Sequence, residues 1–358
     1  MSKLATCVLL ATACSLLAAV PANGASWDDL LAAAKKEGSV SVIGPVSPAV
    51  RRLLTEEFAK DTGLELSYEG MEPNVIATRV EREAAVSKIT VDVLIGGSSE
   101  LRDLYPKGLL APIKPFLILP EVVDVTKWQD GKLEFTDPEG IYFFRTVSGV
   151  YGGMVINTKN TPASAIKRMD DLLKPDMKGK IVSSPVTSGS GSGFAANVLY
   201  RLKADIFTRL YKGQEVKFLP NSRSVVEQVA RGSYRVGFGV FPHEVEEFKK
   251  AGFPLDVVYV EDLPGYVSAS TGTLKIIKNS PHPNAAAVFV NWFATRKIQE
   301  KYMEVTLDPS RRIDVNPTKV PSYTLVRPGI DYLDQHKYDF YVNYRGALVK
   351  QVEQLIGR

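Results

Sequence analysis

The chain has 358 residues and carries 44 Lys and Arg against 40 Asp and Glu, a net charge of +4 at neutral pH. So mild a balance excludes a protein that grips nucleic acid on a strongly basic face. A chain this long usually exceeds one hydrophobic core and divides into two domains.

The N-terminus places Lys3 before an apolar run from Leu4 to Val20, followed by Pro21-Ala22-Asn23-Gly24-Ala25. A basic start, an apolar centre and small residues at a cleavage point describe a secretory signal peptide, residues 1–25, with cleavage after Gly24 or Ala25. About 17 apolar residues is the low end of a membrane span, and Pro21 follows at once. Apolar residues continue past Cys14, so lipid attachment there is not expected. Both cysteines, Cys7 and Cys14, lie in this leader. The exported chain therefore needs no disulfide and offers no thiol nucleophile or cysteine metal ligand. Lys3 is the leader's only charge, so 43 basic and 40 acidic side chains remain, a net charge of +3.

Trp27, Leu30, Leu31 and Ala34 have the spacing of an amphipathic helix over 27–36, stopped by Gly38. A strand is predicted over Ser39–Ile43, a helix over Pro48–Lys60 with Gly63 as its stop, and a strand over Leu64–Tyr68. A helix over Val75–Val86 and a strand over Val91–Ile95 follow. Strands alternating with helices imply parallel sheets covered on both faces. In such sheets ligands sit beyond the carboxyl ends of the strands. Three loops leave such ends here: Gly44–Ser47, Gly70–Asn74 and Gly96–Ser99.

The middle block, 112–262, repeats the theme. One strand ends at Val155-Ile156-Asn157, and short helices are predicted over Met169–Leu173, Val225–Arg231 and Pro242–Lys250, with a strand over Arg235–Val240. One long helix is predicted over Ala285–Tyr302 and a last one over Tyr344–Leu355. Gly108–Ile113 and Pro264–Ser268, both bounded by glycine and proline, read as the strands that join two lobes. Strands of that kind permit hinge closure about a ligand.

The richest stretch is Lys180–Leu199. A short apolar strand runs into Thr187-Ser188-Gly189-Ser190-Gly191-Ser192-Gly193, and an apolar helix start follows. Glycine lets backbone approach a ligand closely, and the first N–H groups of a helix are unpaired at the positive end of its dipole. This is a cradle for an anion, although clusters of glycine and serine also simply mark solvated loops.

Catalytic readings find less. Gly191-Ser-Gly-Phe-Ala-Ala196 fits a loosened dinucleotide pattern, but no acidic residue stands about 20 residues on to hold a ribose. Gly191 stands where a hydrolase elbow needs serine. His243-Glu244-Val-Glu-Glu247 has Glu247 where a zinc helix needs its second histidine. A secreted hydrolase or transferase using His243 or Asp92 is a third reading. The chain reads as no enzyme, with no cofactor and no resident metal.

In order and spacing, several segments resemble the periplasmic solute-binding proteins of ABC importers, specifically the iron(III)-type, family 1 extracellular solute-binding proteins. They are Ala33-Ala-Lys-Lys-Glu-Gly-Ser-Val-Ser-Val42, Phe58-Ala-Lys-Asp-Thr-Gly63, Val91-Asp-Val-Leu-Ile-Gly-Gly97 and Lys107-Gly-Leu-Leu-Ala-Pro112. Asp170–Ile181 and the helix Asn284–Tyr302 behind Lys278-Asn-Ser-Pro-His-Pro283 complete the set.

The resemblance implies an α/β, two-lobed periplasmic binding protein fold of type II, each lobe a mixed, mostly parallel sheet with helices on both faces. The expected lobes are 26–112 plus 266–305 and 113–265 plus 306–358. It further implies a periplasmic receptor, monomeric and without nucleic acid, that traps a small-molecule ligand and delivers it to an inner-membrane ABC permease. Ferric-binding members hold the metal through adjacent tyrosines at the strand end that corresponds here to Gly239-Val240-Phe241-Pro242. This chain has no phenol there, and a hard cation wants anionic oxygens.

The expected solute is therefore a small organic anion, with ferric iron, bare or held through an anion, as the alternative. Candidate contacts are Ser47, Ser98, Ser99, Thr187, Ser188, Gly189, Ser190, Gly191 and Ser192 as donors. Phe241 offers an apolar face, and Tyr151 and Tyr266 stand near the crossovers. Arg145 and Arg223 are candidates for an acidic group, with a surface position as the default for both.

Overall fold

The computed structural model describes residues 26–187 and 189–357; the expected signal peptide and Ser188 lie outside them. In chain order the first elements are α1 (Trp27–Glu37), β1 (Ser39–Gly44), α2 (Pro48–Thr62), β2 (Glu65–Gly70), α3 (Pro73–Ala85), β3 (Val93–Gly96) and the single turn α4 (Glu100–Asp103). Short pieces follow: β4 (Leu110–Ala111), α5 (Pro120–Val123), β5 (Glu134–Phe135) and β6 (Phe144–Arg145). Next come β7 (Gly149–Tyr151), β8 (Met154–Asn157), α6 (Met169–Leu172), β9 (Ile181–Ser183), α7 (Gly189–Thr208), β10 (Lys217–Phe218), α8 (Ser222–Ala230), β11 (Val236–Phe238), α9 (Pro242–Lys250) and β12 (Leu255–Val258). The chain ends with β13 (Tyr266–Ser268), β14 (Thr273–Ile277), α10 (Pro283–Phe293), α11 (Arg296–Thr306), β15 (Leu333–Asp334) and α12 (Gly346–Ile356).

Local chemistry explains the boundaries. Ser26 and Asp29 form a reciprocal capping box at the start of α1, and Gly38 takes φ 83° behind it. Ser47 caps α2 by accepting from the Val50 amide, Pro48 fills the first helical position, and Gly63 ends the helix in the left-handed region at φ 73°. Val50, Leu54, Phe58 and Thr62 recur every fourth residue, so one stripe of α2 is buried.

Two mixed sheets result. The larger runs β2-β1-β3-β14-β6-β5, with β4 also on β14; the smaller runs β10-β9-β11-β8-β12. In the first, β1 is parallel to β2 and β3, while β14 returns antiparallel to β3. In the second, β9 is parallel to β10 and β11, while β8 lies antiparallel to β11 and β12. Each β-α-β unit builds the parallel half of its sheet, and the strand that re-enters from the other sheet builds the antiparallel half. Every residue of β8 and of β14 is buried, as strands covered on both faces require. Phe58, Phe289 and Trp292 meet edge to face against the first sheet, and Phe194 stacks on Phe238 at 4.5 Å in the second core.

A third, three-stranded sheet, β15-β13-β7, stands between them. The chain leaves the large sheet at β6, passes through β7 and enters the small one at β8; it returns from β12 through β13 to β14. The crossings are therefore β7 and β13. Pro264–Ser268 contains β13, but Gly108–Ile113 contributes β4 to the large sheet. Residues 113–147, expected in the second lobe, supply β5 and β6 to that same sheet, and Trp128 and Phe144 to its core.

The predicted helix over 285–302 is two helices, α10 and α11. Thr295 is extended at ψ 152° between them. Its hydroxyl donates to the Trp292 carbonyl at 2.7 Å, and Arg312 donates to the Ala294 carbonyl at 3.0 Å. These bonds satisfy carbonyls that a continuous helix would have used. Among the described residues, no helix is long and apolar enough to cross a membrane.

Candidate functional site

The glycine-serine stretch is a helix turn rather than a loop. α7 begins at Gly189, so Gly189–Gly193 form its first turns. The three glycines that follow are required by contact. A Cβ on Gly191 would lie 2.3 Å from the Pro185 carbonyl oxygen and 2.6 Å from Ser184 Oγ. One on Gly239, at φ 63°, would lie 2.6 Å from the Gly191 Cα, and one on Gly193 would lie 2.2 Å from Tyr266 Oη. Real Cβ atoms do not approach so closely, so the turn after β11 and the start of α7 are pressed backbone to backbone. Two hydroxyls lock the contact: Ser190 Oγ and Ser184 Oγ both donate to the Gly239 carbonyl, at 2.6 and 2.7 Å.

Aromatic rings stand over this helix start. Gly189 lies against Phe241, whose ring edge would be 3.9 Å from a Cβ there. Phe241, at the N-cap of α9, is part-exposed and meets the Tyr151 ring edge to face at 6.3 Å. Tyr151 in turn meets Tyr266 at 6.2 Å, and both belong to the crossing strands. The N-terminus of α7 therefore sits beside the strands that join the two sheets.

A carboxylate completes the group. Tyr151 Oη donates to Asp308 Oδ1 at 2.5 Å, and the Thr271 hydroxyl donates to Asp308 Oδ2. Asp308 is only 2% exposed. Burial raises its carboxyl above the usual range, against the pull of these two hydrogen bonds. Burial, with the Asp308 charge next, pushes the Tyr151 phenol well above its ordinary value. Asp308 stands 157 residues from its partner, and the Leu307-Asp-Pro-Ser-Arg311 context carries no periodicity or motif, so sequence reasoning missed it.

The other predicted residues divide. Ser190, Gly191 and Ser192 are buried in the first turns of α7, while Thr187 is exposed just before it and Ser188 lies outside the described residues. Ser47 is engaged in capping α2. Ser98 Oγ lies 3.0 Å from His336 Nδ1, and Ser99 Oγ donates to Glu100 Oε1 at 3.0 Å. Those three serines are thus tied up within their own surroundings, and the structure does not bring them onto the α7 helix start. Arg145 is buried and donates to Asp334 at 2.6 Å, whereas Arg223 pairs with Glu247 on the surface.

Asp92 and His243, the residues of the catalytic reading, have separate surroundings. Asp92 is fully buried and accepts from the Ser41 and His282 amides, with His282 Nδ1 at 2.9 Å, at the amino end of β3 and away from the carboxyl ends of the strands. His243 is exposed and stacks beside Phe241. Among the described residues, no group of three or more His, Cys, Asp or Glu side chains gathers as a metal site. What the arrangement offers is the start of a long helix, whose first amides have no intrahelical partner, an aromatic wall and hydroxyls held by a buried carboxylate. That is chemistry for holding a molecule.

Comparison with known proteins agrees. Residues 54–319 match the bacterial extracellular solute-binding protein family. No curated protein matches the chain. Among solved structures, it is similar to a Trichodesmium protein (IdiA, FutA) in complex with iron and citrate ligands, at 17% identity and a TM-score of 0.66 over 89% of this chain and 99% of that one. It is similar to a ferric binding protein from Campylobacter jejuni at 18% identity, TM-score 0.67, over 88% and 99%. It is also similar to AfuA from Actinobacillus pleuropneumoniae, a periplasmic binding protein with fructose-6-phosphate bound, at 15% identity, TM-score 0.68, over 89% and 99%. At these identities the likeness is one of fold, two α/β lobes joined by crossing strands. With the family matched across most of its length, the chain belongs to the bacterial extracellular solute-binding proteins.

Proposed function

We propose that this protein is the periplasmic receptor of an ABC importer, capturing a small organic anion between its lobes and passing it, unreacted, to an inner-membrane permease. The single observation that carries this reading is the position of Gly189. The first residue of a long helix, where N–H groups have no intrahelical partner, rests against the part-exposed ring of Phe241 and beside the crossing-strand tyrosines. An anionic group meets the amides, and the apolar remainder of the solute meets Phe241. A lobe arrangement close to 26–112 plus 266–305 against the rest, with 113–147 moved to the first lobe by its strands, lets closure about β7 and β13 complete the site. A solute drives that closure only through contacts made in the closed form.

The second reading is ferric iron held through a bound anion. It is favoured by the likeness of fold to proteins with iron bound. It is opposed by the Tyr151 phenol, which burial holds protonated and which is already bonded to Asp308. A thermal-shift screen of carboxylates, phosphate esters, ferric chloride and ferric citrate separates the two. A solute at about 100 times its Kd stabilises the native form by roughly 2.7 kcal/mol. An organic anion that raises the Tm, and raises it less in Phe241→Ala, supports the first reading. A rise with ferric salts alone refutes it. Bulky residues at Gly191 are unsuitable as a probe, because the Pro185 carbonyl and Ser184 leave no room there.

A further inference from the structure

Three consecutive residues near the C-terminus reach in both directions across the junction of the lobes. β15 adds to the crossing strand β13 in parallel, pairing Leu333 with Tyr266 and Asp334 with Val267, and the Gln335 amide continues the ladder to the Val267 carbonyl. Side chains alternate along an extended strand, and these do. Asp334 accepts from Arg145 of β6, in the large sheet, at 2.6 Å. His336 lies 3.0 Å from Ser98 Oγ, in the loop after β3 of that sheet, and 3.2 Å from Ser268 Oγ of the crossing strand. Gln335, between them, points the other way: its amide donates to the Gly193 carbonyl in the first turns of α7 at 2.8 Å. Arg345 secures Gln335 through its Oε1 at 2.6 Å. Gln335 is 1% exposed and His336 8%, so water does not substitute for these bonds.

We propose that Asp334, Gln335 and His336 are positioning residues that set the angle between the two lobes, and through it the solute affinity, without touching the solute. A third strand at the hinge, bonded to the first lobe on one face and to the solute-binding helix on the other, resists relative rotation. β7 and β13 alone would allow it freely. Loss of one buried hydrogen bond changes a conformational equilibrium about two- to tenfold, and solute affinity changes by the fraction of the binding-competent form. The inference rests on the two-lobed receptor reading, but its test needs no solute, so it fails or stands separately from the choice of ligand.

The experiment measures lobe spacing in the unliganded protein. With Cys7→Ser and Cys14→Ser the chain has no thiol. Spin labels then go on cysteines introduced at Arg52 of α2 and Lys250 of α9, both exposed, one in each lobe. Pulsed dipolar spectroscopy gives the distance distribution for the parent, Gln335→Ala, Ser268→Ala and Arg223→Ala. The expected result is a broader or displaced distribution in Gln335→Ala and Ser268→Ala and the parent distribution in Arg223→Ala, which removes an ion pair within one lobe. A parent-like distribution in both hinge variants overturns the proposal. Should Gln335→Ala fail to fold, Ser268→Ala, which removes the hydroxyl that faces His336 Nε2 and accepts from the Ser270 amide, decides alone.

Discussion

Replacing Gly239 by alanine tests whether the turn after β11 is held by contact or by backbone freedom alone. Gly239 and Gly252 both have positive φ, 63° and 89°. Each alanine would incur about 1–2 kcal/mol for a side chain in the left-handed region. Gly252 has nothing within 4 Å of a built Cβ, so the cost stops there. At Gly239 the new methyl would lie 2.4 Å from Ser184 Oγ and 2.6 and 2.8 Å from the Gly191 Cα and nitrogen. Backbone cannot swing aside, and overpacking of this kind adds about 1–3 kcal/mol. Gly239→Ala should therefore cost roughly 2–5 kcal/mol and Gly252→Ala roughly 1–2 kcal/mol, read from urea unfolding of the two variants. The serine hydroxyls that converge on the Gly239 carbonyl should also be displaced, so solute affinity falls in Gly239→Ala and holds in Gly252→Ala. Equal losses of stability in the two would refute the packed-turn account of the site.

Glu100 and Lys275 form a pair in which both side chains are at most 2% exposed, 3.1 Å apart. Glu100→Ala should cost about 3–5 kcal/mol by leaving a buried ammonium alone, and the double change with Lys275→Met should recover most of it; thermal melts check both. Burial pushes the His336 imidazole down to about 3 from 6.5. The unfolded chain then binds the proton more readily, so this residue's contribution is complete above pH 6.5 and is lost as pH falls from there toward 3. Its slope can reach about 1.4 kcal/mol per pH unit, and His336→Gln should flatten the stability profile in that window. The Asp308 carboxyl is shifted the opposite way, and its burial should weaken the fold as pH rises from 3.8 through its raised value; Asp308→Asn should remove that dependence. Phe241→Ala should weaken binding of whichever organic anion the screen finds by about fivefold or more with little change in Tm, because the ring is part-exposed.

The helices and strands were largely readable because their chemistry is local. Ser47-Pro48 at one end of α2 and Gly63 at the other announce it, and the period-four stripe Val50, Leu54, Phe58, Thr62 identifies its inner face. The break between α10 and α11 was not readable. It depends on Arg312, 18 residues from the Ala294 carbonyl it satisfies, and no spacing within 283–306 encodes that bond. The same holds for 113–147. Its sequence gives short extended pieces, and only pairing of Phe144 and Arg145 with β14 assigns them to the large sheet.

The candidate site divides along the same line. Glycines and serines at 187–193 mark a special turn in any reading. What made them seem a loop is the low helix propensity of glycine, about 1 kcal/mol per residue below alanine. That preference is overridden because Ser184, Pro185 and Tyr266 leave no room for a Cβ at positions 191 and 193. Glycine there is selected by its neighbours, and those neighbours follow β9 or lie in β13, segments about 80 residues apart along the chain. Asp308 is the sharper case. A single carboxylate before a proline has no local signature, yet it takes two hydroxyls from segments on opposite sides of the hinge, Tyr151 on β7 and Thr271 just after β13. Its place at the junction follows from the two crossings passing side by side. A residue that ties both crossings together acquires meaning only once the chain has traversed the gap twice.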